Sequence, residues 1–275
     1  MQDQAAEFSE LGKKSGYDPL YNPDKLFPIP RKRNRDAIGV SLPLPFVGFD
    51  FRNHYEVSWL NEKGKPISAM AEIIYDCSSP NIIESKSMKL YFNSFNNSQF
   101  VNADIVQAII QKDLTERVGA PVTVRISVFP STKIEQVFAA MQGICIDDLD
   151  VECNVYTITP SLLFTEDQVV EETLYSNLLK SNCLVTNQPD WGSVQIIYKG
   201  KRINHESLLR YIVSFRNVNE FSEQCIERIF MDIMRLCQPE ELTVVGRYTR
   251  RGGLDINPYR STKNIPQTNE RLIRQ

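Results

Sequence analysis

The order of elements is written twice in this chain, and that constrains its fold more than any single motif. Tyr55, Val57 and Trp59 alternate with polar residues, NEKGKP (61–66) supplies a turn, and AEIIY (71–75) resumes the apolar run, which reads as a β-hairpin. LYFNSF (90–95) reads as a further strand, preceded by the charged run Glu84, Lys86 and Lys89. Asn102 then opens a helix over 103–118, where Ile105 and Ile109, and Val106 and Ile110, fall at helical spacing, and Gly119 and Pro121 stop it. VTVRISVF (122–129) alternates at period two, as a strand with one buried face does. Ile73-Ile74-Tyr75 returns as Ile196-Ile197-Tyr198, and Ser94-Phe95 as Ser214-Phe215, again followed by a helix and by the alternating strand LTVVGRYT (242–249). A nearly constant offset over consecutive element types argues for an internal duplication of a strand-strand-helix-strand unit.

This predicts an α+β chain in four parts: a leader over 1–45, a first half over 46–130, a connection over 131–172 and a second half over 173–275. The leader's basic cluster Arg31, Lys32, Arg33 and Arg35 follows prolines 19, 23, 28 and 30, and reads as a solvated charge run on an extended arm. Thirty-one Lys and Arg against 34 Asp and Glu leave a formal charge of −3, so there is no basic field to hold a phosphate backbone, and no direct nucleic-acid partner is expected. No apolar run is long enough for a membrane span and the N-terminus lacks a secretory pattern, so the expected location is the cytoplasm. Six cysteines without a C-x-x-C pair, and only His54 and His205 as imidazoles, suggest neither a disulfide framework nor a zinc site.

Common cofactor signatures are missing: there is no G-x-G-x-x-G, Walker A loop, G-x-S-x-G or H-E-x-x-H. Four segments remain where chemistry could live. Arg250-Arg251-Gly252-Gly253 offers guanidiniums and a flexible backbone to phosphate oxygens, although such a turn on a surface is common. SNCLVTNQPDWGS (181–193) presents Cys183 and Asp190 across a proline-containing turn, a thiol and a carboxyl that could serve as nucleophile and proton donor, although most cysteines are buried packing residues. NEFSEQCIERIF (219–230) opens an amphipathic helix with Glu223 in its first turn, and IIESKSMKLYF (82–92) carries Glu84, Lys86 and Lys89.

Taken together and in this order, ESKSMKLYFNSFN (84–96), CLVTNQPDW (183–191), NEFSEQCIERIF (219–230) and RRGGLDINPYR (250–260) resemble the two-half form of the queuosine-pathway nitrile reductases, the NADPH-dependent 7-cyano-7-deazaguanine reductases. The resemblance covers most of residues 40 to 265. It implies a tunnelling fold, antiparallel sheets backed by helices in each half, with the site formed where such units meet and a homodimer as the working form. The implied reaction is a four-electron reduction of a nitrile to an aminomethyl group with two NADPH. By the same resemblance Cys183 is the nucleophile that forms a thioimide, and Asp190 is the proton donor, its pKa raised by burial beside Trp191. Ile83, Glu84, Ser85, Ser222 and Glu223 are implied as substrate contacts, and Ser85, Lys86, Arg251 and Gly252 as cofactor contacts.

One position departs from the family pattern: F-H-E is here Phe221-Ser222-Glu223, so the imidazole that meets the substrate is replaced by a hydroxyl. Two further readings follow. One is a deazapurine- or pterin-binding tunnelling-fold relative with impaired or lost catalysis, motivated by Ser222. The other is another tunnelling-fold enzyme such as a cyclohydrolase, whose zinc-dependent members need a Cys and His cluster that has no match here.

Overall fold

The computed structural model describes residues 18–129, 138–184, 186–265 and 268–275; positions 1–17 of the expected leader and 131–137 of the expected connection lie outside the described residues. In chain order the first set of elements is β1 (Pro28–Pro30), α1 (Arg31–Ala37), β2 (Val47–Leu60), β3 (Pro66–Asp76), β4 (Asn81–Ile83), α2 (Ser85–Asn93), α3 (Ala103–Val118) and β5 (Val122–Phe129). The second set is β6 (Ile144–Cys145), β7 (Thr165–Ser176), β8 (Lys180–Asn182), β9 (Pro189–Ile203), α4 (His205–Val213), α5 (Ser222–Leu236), β10 (Glu241–Tyr248) and β11 (Leu254–Ser261). Two compact units result. The first gathers the described parts of 1–33, 51–136 and 250–255, and the second those of 34–50, 137–249 and 256–275. Neither is a single stretch of sequence.

In the first unit the strand order is β5-β3-β2, with β3 and β5 antiparallel from Tyr75↔Val122 to Ser68↔Phe129. Val57, Trp59, Ile73, Tyr75, Val122 and Val124 from the strands meet Met88, Tyr91 and Phe92 of α2 and Val106, Ile110, Leu114 and Val118 of α3. Each such side chain contributes about 1.5–3 kcal/mol on burial. This arrangement overturns the strand expected at 90–95, which is the end of α2 and the turn beyond it. Met88, Tyr91, Phe92 and Phe95 are fully buried at spacings of three and four, so helical packing outweighs the β-propensity of the aromatic run.

The second unit has the order β11-β10-β9-β7-β6, with β8 added to the start of β9, and all its pairs are antiparallel except β6 with β7. Its internal bonds repeat those of the first unit. Tyr91 donates to Asp113 Oδ2 at 2.7 Å, and Tyr211, 120 positions later, donates to Asp232 Oδ2 at 2.7 Å. Ser94 Oγ donates to the Tyr91 carbonyl and Ser214 Oγ to that of Tyr211, both at 2.6 Å. Shared hydrogen bonds at a shared offset support the duplication more firmly than the few sequence identities do.

The basic cluster of the leader is not an extended solvated arm. It is the helix α1, and the i, i+4 spacing of Arg31 and Arg35 turns both inward while Lys32 and Arg33 stay exposed. In the first unit Arg31 bonds Ser79 Oγ through Nε and a terminal nitrogen at 3.2 and 3.1 Å. In the second unit Arg35 grips Glu227 through two bonds of 2.9 and 2.6 Å, and Glu227 also accepts from Arg260, which reaches Asp50 at 2.9 Å. Buried charges persist only with such partners. No helix among the described residues is long and apolar enough to cross a membrane.

Candidate active site

In the first unit two segments distant in sequence lie side by side. The first is the start of α2. β1 pairs with β4 in the register Pro28↔Ile83, and Glu84 N donates to Phe27 O at 3.0 Å, which fixes where the helix begins. Glu84 takes the capping position, its two carboxylate oxygens accepting from Lys86 N and Ser87 N at 2.7 Å each. A carboxylate has about four acceptor sites, so this buried one is oriented by the helix and keeps capacity for a ligand's N–H groups. Ile83, by contrast, has its side chain wholly in the hydrophobic core and its carbonyl bonded to Arg52 at 2.7 Å. Ser85 and Lys86 are half-buried on the first turn of α2.

The second segment is the turn Arg251-Gly252-Gly253-Leu254, closed by Arg251 N to Leu254 O at 3.0 Å, with φ of +58° at Gly252 and +73° at Gly253. Left-handed backbone at both central positions is the primed hairpin turn that glycine serves best. Lys89, one turn along α2 from Lys86, crosses Gly252 so closely that an added Cβ would stand 3.0 Å from its Cδ. Arg250 lies over the Tyr55 ring at 5.2 Å. Lys89, Arg250 and Arg251 thus meet at a side-chain-free turn, with Lys86 one turn before Lys89 on α2, a donor set suited to the phosphates of a dinucleotide.

The thiol and the second carboxylate belong to the second unit. β8 and β9 form a hairpin with Ser181 opposite Asp190, and its loop is closed by Cys183 N to Gln188 O at 2.8 Å and Asn187 N to Cys183 O at 3.1 Å. Asn187 takes the left-handed conformation, φ +54°, which asparagine tolerates. Asn182 bonds backward to the approach to α5, its N donating to Val218 O at 2.7 Å and its amide to Asn219 Oδ1 at 3.2 Å. The Cys183 loop and the residues leading to Ser222 and Glu223 are therefore held together. Gly246 on β10 completes the placement, because a Cβ there would stand 2.7 Å from Ile226, and its absence lets the first half of α5 lie on the sheet. Cys183 is buried, Asp190 is half-buried, and Ser222 and Glu223 are both buried.

Two features of this site were not foreseen. Asp190 is adjacent in sequence to Trp191, but successive residues of a strand point to opposite faces, and Trp191 is 38% exposed with Arg216 over its ring. The expected burial of Asp190 beside Trp191 is not found. What shares Asp190's side of β9 is instead Ser181, its cross-strand neighbour, and Tyr248, whose ring packs over Gly192. Ser181 Oγ and Tyr248 OH are buried, face the Cys225 sulfur, and reach hydrogen-bond geometry to none of the described groups. Burial pushes the Tyr248 hydroxyl well above its ordinary pKa, with Cys225, Asp190 and Glu223 adding to the shift, so it is a neutral donor. Burial and then Glu220 push the Cys225 thiol up too, which leaves it an inert neighbour rather than a rival nucleophile. Tyr248 was visible in the sequence only as an alternating position of the strand 242–249.

Residues 17–126 match the family described as nitrile reductase, 7-cyano-7-deazaguanine-reductase N-term, and residues 189–267 match that described as QueF-like protein. A NADPH-dependent 7-cyano-7-deazaguanine reductase of Legionella pneumophila (strain Lens) is 62% identical, the match covering 98% of this chain and 96% of that protein. The chain belongs to the 7-cyano-7-deazaguanine reductase family. Reductases of the same name from Hydrogenovibrio crunogenus and Ralstonia nicotianae are 53% and 54% identical, over 98% and 94% of this chain and 98% and 95% of their own lengths. The cationic turn in the first unit fits the cofactor named in those reductases. The α+β architecture, with largely antiparallel sheets carrying helices, fits the family as well.

Proposed function

We propose that this chain reduces the nitrile of 7-cyano-7-deazaguanine to an aminomethyl group, consuming two NADPH, as a step of tRNA queuosine biosynthesis. The observation that carries the reading is the hairpin that presents Cys183 and Asp190, tied to the start of α5, in a chain whose relatives bear that activity. The Cys183 thiolate adds to the nitrile carbon, and Asp190 delivers a proton to the nitrogen, giving a thioimide whose C=N bond accepts hydride. Bound NADPH would supply the two hydrides, and the C–S bond would break between them so that the Cys183 thiolate is regenerated. Glu223 and Ser222 in the second unit, and Glu84 and Ser85 in the first, are assigned to the substrate, with Ile83 contributing backbone only. Buried carboxylate acceptors select a base that offers N–H groups and reject one that lacks them. Ser85, Lys86, Arg251 and Gly252 are assigned to NADPH, and the added 2′-phosphate favours NADPH over NADH through charge-assisted bonds.

The same reading makes the working form a cytoplasmic homodimer acting on the free base rather than on RNA, which sedimentation and a turnover assay without RNA would test. The central test is intact-protein mass after mixing with 7-cyano-7-deazaguanine in the absence of NADPH. A covalent adduct is expected on the wild-type protein and none on Cys183→Ala. An unchanged adduct on Cys183→Ala moves the nucleophile elsewhere.

A further inference from the structure

We infer that His54 is a positioning residue for the cofactor: its imidazole fixes the Gly253 carbonyl and with it the Arg251-Gly252 turn beside α2. The inference rests on the assignment of Arg251 and Gly252 to NADPH. His54 is 1% exposed, and its Nδ1 lies 3.0 Å from Gly253 O. A carbonyl can only accept, so Nδ1 is the protonated nitrogen of a neutral ring. The neighbouring Tyr55 N donates to the same oxygen at 2.8 Å, so two consecutive residues of β2 fill both lone pairs and set the plane of the peptide that follows Gly253. Positive φ at both glycines leaves this turn with little stiffness of its own, and orientation has to come from outside it.

The other face of the ring explains why the residue is a histidine. His54 packs on Phe92 of α2 at 4.3 Å between ring centres, and Lys89, one turn before Phe92, is the side chain that crosses Gly252. The imidazole therefore joins the helix that carries Ser85 and Lys86 to the turn that carries Arg251. It does so at a cost, because Nε2 is buried without a hydrogen-bond partner among the described residues. A residue kept for packing alone would be apolar there. Phenylalanine would fill the space without donating, whereas asparagine would donate without filling it.

Steady-state kinetics with saturating 7-cyano-7-deazaguanine and varied NADPH separate these roles. His54→Phe is expected to raise the NADPH KM roughly tenfold, the scale of one hydrogen bond, while adduct formation without NADPH stays at the wild-type rate. His54→Asn, which keeps an N–H aimed at Gly253 O, is expected to recover most of that loss. A wild-type NADPH KM in His54→Phe overturns the inference, and so does a fall in adduct formation that matches the rise in KM. If His54→Phe does not fold, the smaller His54→Leu carries the same expectation and the same overturning results. Arg251→Ala distinguishes the two levels of the argument. If it leaves the NADPH KM unchanged, the assignment of the turn has failed; if it raises the KM while His54→Phe does not, only the role of His54 has failed.

Discussion

The two units start their paired helices at equivalent places and finish those starts differently. In the first unit α3 is closed by Asn102, which accepts from Ile105 N at 3.0 Å, while α2 begins on Glu84. In the second unit it is α4 that is closed by an asparagine, Asn204 accepting from Ser207 N at 3.0 Å, while α5 begins on Phe221 with no side-chain cap. Duplication yields four helix starts with orphan N–H groups; each unit closes one with an asparagine and commits the other to residues proposed to meet substrate, Glu84, which caps α2 as well, and Ser222 with Glu223, which open α5 without a side-chain cap. The committed helix is the first of the pair in one unit and the second in the other. A similar divergence separates the hairpin connections. Between β2 and β3 the chain turns tightly, with Asn61 Oδ1 accepting from Lys63 N and Lys65 N at 3.0 Å, whereas between β7 and β9 it carries the longer loop with β8 and Cys183.

The comparison is tested most severely at Ser222, where the resemblance read from the sequence implies an imidazole. Ser222 is buried at the start of α5, which has no side-chain cap, and offers a hydroxyl instead. If an imidazole there positions substrate or assists proton transfer, Ser222→His raises turnover by up to roughly 10²–10⁴, the range for a general acid or base, and changes adduct formation less. NADPH oxidation and single-turnover adduct formation, measured on both proteins, are the check. Equal rates in the two proteins would mean that the pocket already accommodates serine, with Tyr248 available as a buried neutral donor on the same side of the sheet.

What the sequence discloses here is local. The hairpin at β2 and β3, the helices α3 and α5 and the strands β5 and β10 follow from period and caps, and the repeat follows from their order. Wherever a long-range partner decides the outcome, the residues alone mislead. Arg35 reads as solvated because Glu227 is 192 positions away. The α2 segment reads as a strand because its aromatic run favours β structure until the packing partners from β3 and α3 are known. Asp190 and Trp191 read as neighbours because alternation is invisible until the strand is placed. Resemblance suggested the roles of Glu84 and Arg251 and the sequence already named Lys89 in the same segment, while the structure adds Tyr248 and His54, neither of which forms a motif.

A second difference between the units is acid sensitivity built into the first. Burial lowers the pKa of His54 from 6.5 to about 4, with Lys89 adding to the shift and the bond to Gly253 opposing it. The native ring refuses a proton that the unfolded chain accepts, so the stability this contributes is present above pH 6.5 and is lost as pH falls toward 4. Integrated over that window the loss reaches about 3 kcal/mol. Denaturant unfolding between pH 7 and pH 4 should show that slope in the wild-type protein and a shallower one in His54→Asn. Equal slopes would place the acid-sensitive group elsewhere.

The duplicated tyrosine–aspartate bonds should also be unequal. Asp113 accepts from Tyr21 at 2.6 Å as well as from Tyr91, whereas Tyr211 is the only hydrogen-bond partner of Asp232 among the described residues. Tyr211→Phe leaves a buried carboxylate without a donor and should cost about 2 kcal/mol, whereas Tyr91→Phe leaves Tyr21 in place and should cost about 1 kcal/mol. Unfolding free energies of the two variants decide the order; a larger loss for Tyr91→Phe would contradict it.

The smallest effect goes to the sealed helix ends. Asn102→Ala and Asn204→Ala each remove one capping bond and should each cost about 1 kcal/mol of stability. Because neither cap faces an assigned ligand, KM for substrate and for NADPH should stay at wild-type values in both. Glu84→Gln is the contrast, since its amide oxygen keeps one acceptor for the cap while the loss of charge weakens bonds to a ligand's N–H groups by about 1–2 kcal/mol. The division of labour between helix starts thus predicts a stability change without a KM change at the two asparagines, and a substrate KM change larger than the stability change at Glu84. A KM shift in Asn102→Ala or Asn204→Ala, measured beside its unfolding curve, would show that the sealed ends serve the site as well and would remove the distinction drawn between the units.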